Sequence, residues 1–172
     1  NIAVEEHPGE LSDHYDPRVR ILRLSPDVYR NRSLGAIGVA AHEVGHALQH
    51  ATGYRPLLLR QSIAPAAQFG SSASWFLILL GFLFGGVGLV KIGVLLFAAV
   101  VLFQLVTLPV ELDASARAKQ MVFEHGLVTQ SETVAVAKVL NAAAMTYVAA
   151  ALTGVLTLLY YLLRLGLLGG DD

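Results

Sequence analysis

The sequence predicts a mainly α-helical, multi-helix integral membrane protein with a small β-hairpin beside one polar, histidine-bearing helix. Three observations carry that expectation. Only 15% of the 172 residues are charged, against about 25% in soluble domains. The charges leave three long uncharged stretches: 30 residues between Arg60 and Lys91, 19 between Lys91 and Glu111, and 25 between Lys138 and Arg164. The first 32 residues, by contrast, hold five arginines among numerous carboxylates, a composition suited to water.

Taken in order, the elements follow from local chemistry. Val19-Arg20-Ile21-Leu22-Arg23-Leu24 alternates in part and is bracketed by Asp16-Pro17 and Ser25-Pro26, which predicts a short strand or hairpin. Ser33 is a plausible N-cap, Leu34, Ile37, Ala41, Val44 and Leu48 recur at helical spacing, and Gly53 offers a stop, so a helix is expected between them. Leu57–Phe69, interrupted by Pro65, reads either as an interfacial segment or as a linker. A spanning helix needs about 20 apolar residues, and spans are placed at Ser74–Val90, Ile92–Val110 and Ala142–Leu163, with Gly85-Gly86-Val87-Gly88 turning between the first two. Residues 111–141 are expected to be helical and close to the membrane, with the capping box Thr129-Gln130-Ser131-Glu132 opening the last long helix. The whole, 1–172 and 18.4 kDa, reads as one membrane-embedded domain whose water-facing strand and helix occupy 1–56. Asn1 stands where a Met would begin a complete chain, which leaves room for a longer precursor.

Composition excludes several functions. A net charge of −1 without a basic, aromatic-interleaved patch does not suggest nucleic-acid binding. With no Cys, any metal must be held by His, Asp or Glu, and no disulfide or thiolate chemistry is open to the chain.

Within the polar helix lies His42-Glu43-Val44-Gly45-His46, an H-E-x-x-H pattern. Histidines at i and i+4 share one helix face, so both imidazoles can reach a single Zn²⁺, while Glu43 projects beside it as a proton acceptor for bound water. Gly45 permits another element to approach closely. A catalytic zinc needs a third protein ligand and keeps a fourth position open. His50 continues the series, but its Cα lies about 12 Å along the axis from that of His42, too far for an easy shared ion. The remaining candidates are His14, Asp16, Glu111, Asp113, Glu124 and His125. Glu111 stands out as the first charge after 19 uncharged residues, on one helical face with Gln104, Thr107 or Leu108, and Ser115. Asp113 points roughly opposite.

His14-Tyr15-Asp16-Pro17, Leu22-Arg23-Leu24-Ser25-Pro26, Ala40–Ala47 around the histidines, Leu108–Ser115 and Leu140-Asn141-Ala142-Ala143-Ala144 together resemble the YugP-like membrane zinc metallopeptidases of bacteria, over almost the whole chain. Members usually carry a further N-terminal membrane helix, after which this chain would begin. More distantly, a strand, a zinc helix and a Glu on a later helix are similar to the HtpX-like and prenyl-protein endopeptidase metalloproteases, of gluzincin type. In those, Glu-x-x-x-Asp supplies the third ligand and an Asp supporting a zinc histidine. The resemblance implies Glu111 as ligand and position 115 as supporter, where this chain has Ser115, a hydrogen-bonding residue without charge.

The resemblance and the motif together imply a zinc-dependent endopeptidase with one catalytic Zn²⁺ on His42, His46 and Glu111, and Glu43 as general base and acid. Expected partners are a peptide or membrane-protein substrate and the lipid bilayer, with no nucleic acid; oligomeric state is not indicated. An extended substrate is expected at the edge of the Val19–Leu24 hairpin. Candidates to stabilise an oxyanion are His125, Arg117 and Tyr147. The rival readings are a non-proteolytic zinc-binding scaffold or chaperone, and a transporter with a structural metal, for which the spans offer only Gln104 as a strongly polar group. Ten of the 12 Lys and Arg residues fall on one side of the expected topology and only Lys91 and Arg164 on the other. The positive-inside rule thus places a multi-pass protein in the bacterial cell membrane with its metal region in the cytoplasm.

Overall fold

Residues 2–167 are described in a computed structural model of the chain. It opens with three short strands, β1 (Ala3–Glu6), β2 (His14–Asp16) and β3 (Ile21–Leu24), followed by a one-turn helix α1 (Pro26–Tyr29). Four long helices follow: α2 (Leu34–Ala51), α3 (Arg55–Leu83), α4 (Val87–Glu124) and α5 (Gln130–Arg164). The residues fall into two units, 2–58 with 109–146, and 59–108 with 147–167.

In the first unit the strands form a sheet of order β1-β3-β2, with β3 parallel to β1 (Ala3 opposite Ile21) and antiparallel to β2 (His14 opposite Arg23). The alternation of β3 decides its faces: Leu22 and Leu24 are buried, while Arg23 turns to Asp16 at 3.1 Å and Glu5 at 3.8 Å. The expected hairpin is therefore the β2–β3 pair of a three-stranded mixed sheet. Its second strand starts at Ile21 instead of Val19, because Arg20 turns the chain with φ of 56°. β1 has no apolar alternation to announce it; its four residues are exposed, and backbone pairing to β3 and the Arg30–Glu6 ion pair at 2.7 Å hold it.

The helices of this unit begin and end where capping chemistry asks. Ser33 Oγ accepts from Ala36 N–H at 3.2 Å, and α2 stops before Gly53, whose φ of 63° suits a residue without Cβ. Thr129 and Glu132 form a reciprocal capping box ahead of α5. Small residues pack the helices closely. On α4, Val110, Ala114, Ala118 and Val122 make a fully buried i, i+4 stripe, and Ala41, Val128, Val136 and Leu140 complete the core. Each fully buried Val or Leu there contributes about 1.5–3 kcal/mol.

In the second unit, Ile78, Val90 and Val94 form a core with Leu158, Tyr161 and Leu162 packed on it. Much of the rest is apolar and outward: Trp75, Phe76, Phe82, Leu95, Leu102, Leu152 and Leu156 are all more than half exposed. Among the described residues α3, α4 and α5 are long and apolar enough to cross a membrane. The stretch expected as a 74–90 span holds the end of α3, a turn at 84–86 and the start of α4. Leu57–Phe69 is neither linker nor separate segment, since it belongs to α3, which runs through Pro65 without ending.

Candidate metal centre

The site is built where α2 meets the part of α4 within the first unit. One helical turn sets His42 and His46 side by side, with ring centroids 4.7 Å apart. Glu111, 2% exposed, enters from α4. Its Oε2 lies 3.1 Å from His42 Nε2 and 3.6 Å from His46 Nε2. The approach depends on Gly45, where an added Cβ would come within 2.5 Å of the Ala114 carbonyl oxygen.

Two imidazole nitrogens and a carboxylate oxygen are a donor set suited to catalytic zinc, and here the three ligand atoms lie within 4.8 Å of one another. Zinc–ligand bonds of about 2.0–2.1 Å require tetrahedral donors roughly 3.3 Å apart, a spacing bracketed by the two Glu111 distances. The residues fit the ion.

Glu43 sits beside this cluster, buried, with its Oε2 accepting the backbone N–H of Tyr15 at 3.0 Å. Burial pushes its carboxyl above the usual range, and the Glu111 charge adds to that push. The neighbouring His46 and His42 and the Tyr15 amide pull the other way without cancelling it. For His46, burial alone would depress the imidazole, but the hydrogen bond and charge of Glu111, the charge of Glu43 and the bond to Gln49 outweigh it and leave its pKa raised. The charges of Glu111 and Glu43 thus oppose the effect of burial on His46.

The outer nitrogens of both imidazoles are also engaged. His42 Nδ1 meets Ser115 Oγ at 3.1 Å and His46 Nδ1 meets Gln49 Oε1 at 3.0 Å. Gln49 is fully buried and donates to Val110 O and Asp113 Oδ2, both at 2.8 Å. Asp113 in turn receives Arg117 Nε at 2.6 Å. Asp113 therefore reaches α2 through Gln49 instead of pointing away from it, and stands outside the ligand cluster. Sequence reasoning missed Gln49. Its signal was positional: it continues the buried stripe of Gly38, Ala41 and Gly45 on α2, where an amide has no reason to be unless it is bonded.

The other candidates lie elsewhere. His50 Nδ1 pairs with the Tyr15 hydroxyl at 2.9 Å. His14 Nδ1 contacts Ser12 O, and Asp16 is held by Arg18 and Arg23. Glu124 accepts from Gln120, while His125 contacts Met121 O at the exposed end of α4. Arg117 is turned to Asp113 and lies over the Tyr54 ring at 5.7 Å. Tyr147 lies on α5 in the second unit.

The chain is 50% identical over 163 residues to a Bacillus subtilis (strain 168) protein described as "Putative membrane protease YugP", an alignment covering 95% of this chain and 72% of that one. No solved structure matches it. A family model described as "Putative neutral zinc metallopeptidase" matches residues 1–166, and the chain belongs to that family.

Proposed function

We propose that the protein is a zinc-dependent endopeptidase that hydrolyses peptide bonds at a membrane surface. The observation that carries this reading is the convergence of His42, His46 and Glu111 beside a buried Glu43. A structural metal site needs ligands but no adjacent base, so Glu43 favours hydrolysis over a scaffold. His42, His46 and Glu111 would hold one zinc ion, which supplies Lewis acidity toward a carbonyl and acidity to a water molecule. Glu43, buried beside the ligand set and with its carboxyl raised by that burial, is suited to take a proton from that water and hand it to the leaving amine. The Tyr15 amide fixes one carboxylate oxygen and leaves the other for this transfer.

β3 is paired on both sides, so an extended substrate cannot add to it. Of the two outer strands, β2 is the one that reaches Glu43, through the Tyr15 amide, so a substrate strand is best placed along β2 with that amide already engaged by the base. The three apolar helices and the charge asymmetry support a multi-pass membrane protein with this site on the cytoplasmic side. The substrates are then peptides or membrane proteins that present an unfolded stretch near the bilayer.

Glu43→Gln tests the reading. It is expected to retain zinc and lose at least about 10²-fold in peptide hydrolysis, the scale of a general base. Undiminished turnover with the metal still bound would exclude Glu43 and the proposed reaction with it.

A further inference from the structure

An imidazole binds a metal through an unprotonated nitrogen, so the hydrogen of a ligating histidine must sit on its other nitrogen. For His46 that other side is Gln49. The amide of Gln49 has acceptors on its far side, the Val110 carbonyl and the Asp113 carboxylate that Arg117 holds. Turning the amide over would set its oxygen against both, with no hydrogen among the three groups. Both hydrogens of Gln49 Nε2 are therefore spent on α4, and only the lone pairs of Oε1 remain for His46. The His46 Nδ1 must be the donor, which frees Nε2 on the side of Glu111.

We propose that Gln49 is a positioning residue for the metal: clamped by Val110 and the Asp113–Arg117 pair, it sets the tautomer of His46 and aims Nε2 at the ion. This rests on the metal-site reading above. The network has one arrangement only: Arg117 and Gln49 both donate to Asp113, which can only accept, and His46 is left to donate to Gln49. His42 has no such lock, since the Ser115 hydroxyl at its Nδ1 both donates and accepts. Neither Asp113 nor Arg117 touches the ligand cluster, so both act through Gln49.

The test is a zinc titration of the full chain in detergent against a competing chelator, comparing wild type, His46→Ala, Gln49→Leu, Gln49→Glu and the pair Gln49→Glu/Asp113→Asn. Gln49→Leu is expected to weaken zinc binding by about 10–100-fold, the usual effect of removing a partner of a ligating histidine. Gln49→Glu alone sets a carboxylate against Asp113 and weakens binding too. The pair recovers part of that loss, because the carboxylate introduced on α2 still accepts from His46 and the amide introduced on α4 returns a hydrogen to the contact, while the Val110 carbonyl stays without its donor. Nitrogen-15 spectra of the zinc-loaded wild type should show His46 protonated at Nδ1. Tight zinc binding by Gln49→Leu when His46→Ala has lost it would overturn the proposal, as would His46 protonated at Nε2. Should Gln49→Leu lose helix content, the pair decides: recovery supports the lock and its absence removes it. A wild-type protein with no affinity for zinc would instead remove the metal-site reading itself.

Discussion

Replacing Gly45 by Ala adds a single methyl group at the crossing of α2 and α4, and its effect can be worked from distances. The new Cβ would stand 2.5 Å from the Ala114 carbonyl oxygen and 3.1 Å from the Ala114 carbonyl carbon and Cα. Ordinary contact begins near 3.4 Å, so the backbone of α4 must retreat by about 0.9 Å. No rotamer relieves the contact, because the obstructing atoms are main chain. Overpacking of this kind costs about 1–3 kcal/mol, against a gain of about 0.8–1 kcal/mol from exchanging Gly for Ala within a helix. The larger consequence is at the metal. His42 and His46 flank Gly45 on one helix and Glu111 lies one turn before Ala114 on the other, so the retreat opens the ligand set. Gly45→Ala is expected to lower zinc affinity by at least an order of magnitude, and Ala114→Gly should not rescue it. Gly38→Ala is the control, because its Cβ would meet a Val136 methyl at 3.3 Å, a contact a side chain can ease. The assay is competitive zinc titration with thermal unfolding followed with and without the metal. If Gly45→Ala binds zinc like wild type while remaining as stable, the argument that a backbone-to-backbone approach holds the ligands is wrong.

Glu111→Gln should weaken zinc binding far more than Asp113→Asn, since the first faces both imidazoles and the second acts only through Gln49; metal content after dialysis ranks the two. Arg18, through its side chain and then its amide, with Arg23 behind it, holds the Asp16 carboxyl at about 2 instead of its ordinary 3.8. A depressed folded pKa stabilises above the ordinary value and the benefit is lost as pH falls toward 2. Wild type should therefore exceed Asp16→Asn in melting temperature near neutrality, with the gap closing between about pH 4 and pH 2. For topology, single cysteines at Ser12 and at Asp171, the latter outside the described residues, report orientation in this Cys-free chain. An impermeant thiol reagent on intact cells should label position 171 and spare position 12, and the reverse pattern would place the site outside.

What could be read from the sequence divides by the range of the interaction that decides it. The caps at Ser33 and Thr129 and the two histidines are decided within one or two helical turns, so spacing alone locates them. Glu111 was legible for a different reason: a carboxylate is conspicuous after 19 uncharged residues. β1 was not legible, because four exposed residues carry no pattern and the strand exists through its pairing with β3. Gln49 escaped, and with it the role of the candidate Asp113, for a related reason. An amide and a carboxylate 64 positions apart announce nothing singly, and their meaning lies in meeting each other. The turn at Gly85-Gly86 was legible from its glycines, but the span expected at 74–90 ran past it, because uncharged turn residues do not interrupt a hydropathy pattern.

The first unit is assembled from two stretches of chain, 2–58 and 109–146, with the apolar 59–108 between them. His42 and Glu111 are 69 positions apart. At about 5–20 residues per second, a ribosome that has just delivered His42 needs roughly 3–14 s more to deliver Glu111. During that interval α2 carries two histidines and a base without their carboxylate partner, and Gly45 faces no α4. On the proposed function, a growing chain therefore holds no working protease until the stretch suited to the bilayer has left the ribosome. On that reading, the split of the site across the sequence sets the onset of hydrolysis after the synthesis of the apolar stretch 59–108.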